Sequence, residues 1–88
     1  DYDWDDAGTW TAFAAHFPAD AEGNTIRGSV ATVNARHNIA IGGHGRTIAL
    51  VGVNDLVVVE TPDAILVCHR DAVQDIKQLM PKLPKEVL

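Results

Sequence analysis

The chain has 88 residues, a formal net charge of −5 and an apolar fraction of 47%. That is the length of one small domain, too apolar for a disordered chain, and seven thinly spread basic residues argue against nucleic acid, whose phosphates call for clustered Lys and Arg. No apolar run approaches the roughly 20 residues of a membrane span, and a membrane partner is not expected. The single cysteine, Cys68, rules out an internal disulfide and, inside "AILVCHR", is expected to be a buried reduced thiol. A cytoplasmic protein is the expectation.

The first ten residues, "DYDWDDAGTW", hold four carboxylates and two tryptophans without a leading methionine. They read as a cut through a larger protein. Residues 9–17, "TWTAFAAHF", place Trp10, Phe13, Ala14 and Phe17 at i, i+3, i+4 and i+7, the apolar stripe of a short helix. Thr9 is the expected N-cap, Pro18 ends the pattern, and "ADAEGN" (19–24) is a polar turn.

From Thr25 the rhythm changes. "TIRGSVATV" alternates loosely, and then apolar triplets recur: "IAI" at 39–41, "IAL" at 48–50, "VVV" at 57–59 and "ILV" at 65–67. Their starts are 9, 9 and 8 residues apart, with turn-formers between them. Short strands at even spacing predict a sandwich, a small barrel or a β-solenoid, and two beats of nine make an 18-residue coil. The nearly continuous apolar character of "DLVVVET" and "AILVC" predicts strands covered on both faces. The last element, "HRDAVQDIKQLM", sets Val73, Ile76, Leu79 and Met80 on one side of an amphipathic helix that Pro81 halts. It is the expected cover for the strands.

His16, His37, His44 and His69 lack metal-ligand spacing, so surface or capping roles are expected. Ser29 is the one serine and lies in no nucleophile elbow. "IGGHGR" (41–46) invites a phosphate-loop reading, but no GK[ST] and no following helix support it; a tight turn with positive-φ glycines is expected. The acidic turn has two readings. Its carboxylates solvate a loop before a helix, or one of them ligates Mg²⁺, which takes one or two carboxylates alongside phosphate oxygens and water.

"WDDAGTW" resembles the W-x-D-x-G-[ST]-W segment of bacterial mannose-1-phosphate guanylyltransferases (GDP-mannose pyrophosphorylases). "NDLVVVETPDAILVCHRDAVQDIKQLM" is similar to that family's C-terminal signature, and "EGNTIRGSVATVNARHNIA" to the segment between. The resemblance covers nearly the whole chain in order. It implies a mainly β fold: a short left-handed β-helix with a short N-terminal helix and a C-terminal amphipathic helix. It also implies boundaries, with 1–24 ending the nucleotidyltransferase domain, 25–69 the β-helix and 70–88 the C-terminal helix and tail.

Functionally, the resemblance implies a parent enzyme that makes GDP-mannose and pyrophosphate from GTP and mannose 1-phosphate, with Mg²⁺ holding two polyanions together. Asp6 aligns with the family's metal-holding aspartate and is the expected catalytic and metal residue. Asp5 is next in rank. Trp4 and Trp10 are expected to pack a domain junction. The family's glycine-rich nucleotide signature is absent, so this chain alone is expected to be inactive and to act in support and homodimerisation. Asp5, Ala7 and the "GGHG" turn depart from the family pattern without removing Asp6. The alternative is a non-catalytic β-solenoid module for oligomerisation or regulation. A carbohydrate-binding β-module ranks last, since after Phe17 no Phe, Tyr or Trp remains to form a platform.

Overall fold

The computed structural model describes residues 12 and 14–87. Six strands follow a helical turn at Ala12 and Ala14: β1 (Thr25–Arg27), β2 (Val30–Val33), β3 (Ile39–Ile41), β4 (Ile48–Val51), β5 (Leu56–Glu60) and β6 (Ile65–His69). All four apolar triplets lie within strands. One sheet has the order β1-β3-β5-β6 and the other pairs β2 with β4. The pairs β1–β3, β3–β5 and β2–β4 are parallel, whereas β6 turns back antiparallel on β5.

The register carries the 18-residue beat. Ile39 pairs with Val57, Val30 with Ile48, and an isolated parallel bridge joins Arg36 to Asn54. The first step is shorter, since Thr25 pairs with Ile39, 14 residues on. Backbone conformation follows the same offset. Asn34 and Gly52 both have positive φ (51° and 66°), as do His37 and Asp55 (58° and 62°). Asn and Asp tolerate this left-handed region better than most side chains.

Ile39, Val57 and Val59 point to one side of the first sheet and are fully buried with Ala14, Leu66 and Ile76. Ala40 and Val58 point to the other, where they meet Ala35 and Leu50. The sheet is therefore covered on both faces. Each large aliphatic side chain so buried contributes about 1.5–3 kcal/mol. β5 fits the two-faced expectation, with Val57 to Glu60 all buried. β6 departs from it. Ile65 and Val67 are 54% and 62% exposed, while Leu66 is buried. As the outermost strand, β6 has one covered side, so its apolar run conceals an alternation.

The cover is a helical segment over 70–82: a 3₁₀ stretch (Arg70–Asp75), one α-turn, α1 (Ile76–Leu79), and a further 3₁₀ turn (Met80–Lys82). Ile76 is buried in the core, with Val73, Leu79 and Met80 packed beside it. His69 starts the segment as its cap rather than as a helical residue, its ring accepting the Asp71 N–H at 3.0 Å. Pro81 sits inside the Met80–Lys82 3₁₀ turn rather than halting the segment before it, and Lys85–Val87 forms another.

Two buried asparagines tie successive layers. Asn24 Oδ1 accepts from the Asn38 N–H and side-chain amide (both 3.0 Å), and Asn24 Nδ2 donates to Ala35 O (2.8 Å). Asn38 repeats the pattern one step on. Its Oδ1 accepts from the Leu56 N–H (2.8 Å) and its Nδ2 donates to Val53 O (3.0 Å). At Leu56 the side chain can no longer bond, and the parallel stack gives way to antiparallel β6.

Candidate functional site

Asp6, and with it Asp5, Trp4 and Trp10, lies outside the described residues. The neighbouring chain is anchored: Ala14 packs against the core column and the Phe17 ring lies 4.5 Å from the Arg27 guanidinium carbon, a cation–π contact. Among the described residues, no group of three or more His, Cys, Asp or Glu side chains could hold a metal ion.

The polar residues that do converge lie at one corner of the stack. His37 and Asp55 occupy equivalent left-handed positions, 18 residues apart, and their side chains meet at 2.5 Å (Nδ1 to Oδ1). Arg70 completes the corner. Its N–H donates to Asp55 O (2.7 Å) and its guanidinium to His37 O (3.4 Å). The His37 hydrogen bond holds the Asp55 carboxyl below its ordinary pKa against an opposing desolvation, with smaller help from the charges of His37, His69 and Arg70. A cleft of about 230 Å³ opens beside it, lined by Phe17, Thr25, His37 and Arg70 among others. The corner fastens two layers to the start of the helical segment. It lacks a Ser, Cys or Lys nucleophile, so its chemistry is ionic and positional. His37 and His69 thus fill the surface and capping roles expected of them.

The "GGHGR" loop does hold an anion, but one of its own chain. Glu60 is 1% exposed at the end of β5. Its Oε1 accepts from the His44 N–H (3.3 Å) and its Oε2 from Arg46 Nη1 (3.4 Å). Gly43 and Gly45 have φ of 107° and 97°, as the tight-turn reading requires. The backbone N–H that sequence reasoning set against a phosphate is satisfied by a carboxylate 16 residues downstream. Glu60, at the end of an apolar run, carried no sequence signal of this role.

Cys68 is half-buried rather than buried, its Sγ donating to His69 O at 3.1 Å. Desolvation, with a smaller contribution from Asp75, raises its thiol pKa above the ordinary value. It lines an open, largely apolar groove of about 300 Å³ between β6 and the helical segment, with Leu66, Ala72, Ile76 and Leu79.

A family model described as the MannoseP isomerase/GMP-like beta-helix domain matches residues 28–83. The chain belongs to this family. Within this beta-helix domain family, the chain is 39% identical over 80 residues to the alginate biosynthesis protein AlgA of Pseudomonas aeruginosa, covering 91% of this chain and 16% of that protein. It is 40% identical over 78 residues to a mannose-1-phosphate guanylyltransferase of Escherichia coli, covering 89% and 16% respectively. The xanthan biosynthesis protein XanB of Xanthomonas campestris is 37% identical over 83 residues, 94% of this chain and 17% of its own length. The chain thus spans 16–17% of the length of these relatives. A crystal structure from Thermus thermophilus, described as a mannose-1-phosphate geranyltransferase, superposes with a TM-score of 0.71 at 24% identity. That match covers 88% of this chain and 23% of the other, a likeness of fold. The mainly β expectation and the C-terminal mannose-1-phosphate guanylyltransferase resemblance are both supported. Among the described residues no helix is long and apolar enough to cross a membrane.

Proposed function

We propose that this chain is the C-terminal part of a GTP:mannose-1-phosphate guanylyltransferase, which makes GDP-mannose and pyrophosphate, and that it serves there as a supporting and homodimerising β-helix. The observation that carries this is the family match over 28–83 together with 40% identity to a protein named for that activity. The unit divides as 1–24, 25–69 and 70–88, the middle part a left-handed β-helix. The 18-residue offset of the parallel pairs β3–β5 and β2–β4 supports a coil of that length. By itself the chain is inactive in this reading, since it spans 16% of the guanylyltransferase it resembles and the rest of the site belongs to the longer protein. A cytoplasmic location suits a reaction between GTP and a sugar phosphate.

Asp6 is the residue of this chain proposed to hold Mg²⁺. A carboxylate oxygen is the hard donor this ion prefers, and one or two suffice when phosphate oxygens and water complete the shell. Bound there, the ion would neutralise charge between the two phosphorylated reactants. The remaining protein ligands would come from outside the described residues. The test is Asp6→Ala in the longer protein, read by pyrophosphate release from GTP and mannose 1-phosphate and by Mn²⁺ binding in the presence of GTP. Loss of both supports the assignment. Unchanged turnover and binding would refute it.

A further inference from the structure

The cleft of about 230 Å³ beside the His37–Asp55 corner is lined by small and aromatic residues of the 14–19 segment and by Thr25, His37 and Arg70. Two of its polar groups lack the partners that burial ordinarily brings. Thr25 is 7% exposed and pairs in parallel register with Ile39, which in turn pairs with Val57. Its side chain therefore extends the column of the first core, on the side that holds Ala14. Where the next two layers place Ile and Val, the first places a hydroxyl, and that hydroxyl makes no hydrogen bond among the described residues.

Arg70 is half-buried, and its guanidinium reaches only His37 O (3.4 Å); no carboxylate pairs with it among the described residues. The two groups are held side by side. Thr25 N–H donates to Asn38 O (2.8 Å), so Thr25 and the Arg70 guanidinium are anchored to consecutive carbonyls of one strand entry. Acids of the same corner are engaged elsewhere: Asp55 bonds the His37 ring, and Asp20 accepts from the Glu22 and Asn24 N–H groups (both 2.9 Å). No carboxylate lines the cleft.

We propose that this cleft binds a small organic monocarboxylate, its carboxylate held by the Arg70 guanidinium and the Thr25 hydroxyl and its apolar body by Phe17 and the neighbouring alanines. A planar guanidinium matches a carboxylate in shape and offers it paired donors. The charges match one to one. A phosphate monoester would bring up to two negative charges to a single cation on a chain of net charge −5. The cleft is smaller than the roughly 300–1,000 Å³ of sites for drug-sized ligands, so the body is compact. His37, fixed by Asp55, forms a wall. This site stands independently of the transferase and assembly readings above.

Benzoate serves as the probe, titrated into the isotope-labelled 88-residue chain near neutral pH and followed by amide chemical shifts, with benzyl alcohol and inorganic phosphate for comparison. The expected result is saturable benzoate binding with shifts centred on Phe17, Thr25, His37 and Arg70, and weaker binding of both comparison probes. Thr25→Val continues the aliphatic column and should weaken benzoate about fivefold, the worth of one hydrogen bond. Arg70→Gln should weaken it about tenfold or more. Circular dichroism checks the fold of each variant, and Thr25→Val carries the test alone if Arg70→Gln does not fold. Scattered or non-saturating shifts, or unchanged benzoate affinity in Thr25→Val, overturn the site. Equal binding of benzyl alcohol overturns anion recognition, and tighter binding of phosphate at the same residues overturns the carboxylate class.

Discussion

Replacing Asn38 by alanine is the sharpest test of how the layers hold together. Its side chain makes three hydrogen bonds of 2.8–3.0 Å, to the Leu56 N–H, Val53 O and Asn24 Oδ1, and the residue is fully buried. Alanine keeps the Asn38 N–H bond to Asn24, so Asn24 Oδ1 retains one donor. The Leu56 N–H loses its side-chain partner, whereas Val53 O keeps the Arg36 N–H (3.2 Å). Leaving a buried polar group unpaired costs about 1–3 kcal/mol, so the variant should lose about 2 kcal/mol. At roughly 0.05–0.15 kcal/mol per residue, the whole chain has about 4–13 kcal/mol of stability, and the variant removes about a sixth to a half of it. Urea unfolding followed by circular dichroism measures this directly. With a slope of about 1 kcal/mol/M, the midpoint should fall by about 2 M. A loss under about 1 kcal/mol at unchanged slope would refute the reasoning.

Other substitutions discriminate further. Gly28→Ala should cost about 3 kcal/mol or more, because a Cβ there would lie 2.7 Å from Gly43 N at a φ of +87°; Gly52→Ala, with nothing within 4 Å, should cost only the left-handed penalty of about 1 kcal/mol. Equal losses in thermal melts would count against the close approach. Asp55 has a lowered pKa, so its stabilisation is present above its unfolded value of 3.8 and fades as pH falls through the lower folded value. Asp55→Asn should therefore flatten the acid limb of stability below about pH 4, read by denaturation at about pH 7 and pH 3; an unchanged acid limb would contradict the His37 pairing. The Cys68 thiol, raised by burial, should react with an aromatic disulfide at about pH 8 more slowly in the folded chain than in urea. Equal rates would show that the groove does not shield it.

The strands were legible because apolar triplets at nine-residue beats coincide with places where two cores must be filled, and register follows from the same count. The 14-residue first step between Thr25 and Ile39 was not legible, since "TIR" lacks a triplet. Nor was the alternation in "AILVC", where exposed Val67 looks the same as buried Val57 until the edge position of β6 is known. Asn24 reads as the end of a polar turn, and Asn38 carries no signal of its own in the sequence. Their actual work, satisfying backbone groups of the next layer, depends on contacts 11 to 18 residues away. Glu60 was hidden for the same reason, its partners lying in the glycine loop. Of the candidate site, the capping and surface roles of His37 and His69 were legible from position. Asp6 came from family resemblance, with no pattern of residues to derive it.

Pyrophosphate release by the isolated 88-residue chain, supplied with GTP, mannose 1-phosphate and Mg²⁺, tests the central claim most directly. A β-helix that supports a site completed elsewhere should release none above the uncatalysed background, at any concentration of chain. Sustained, concentration-dependent turnover would contradict the claim, because it would mean that these residues alone bind the nucleotide and perform the transfer.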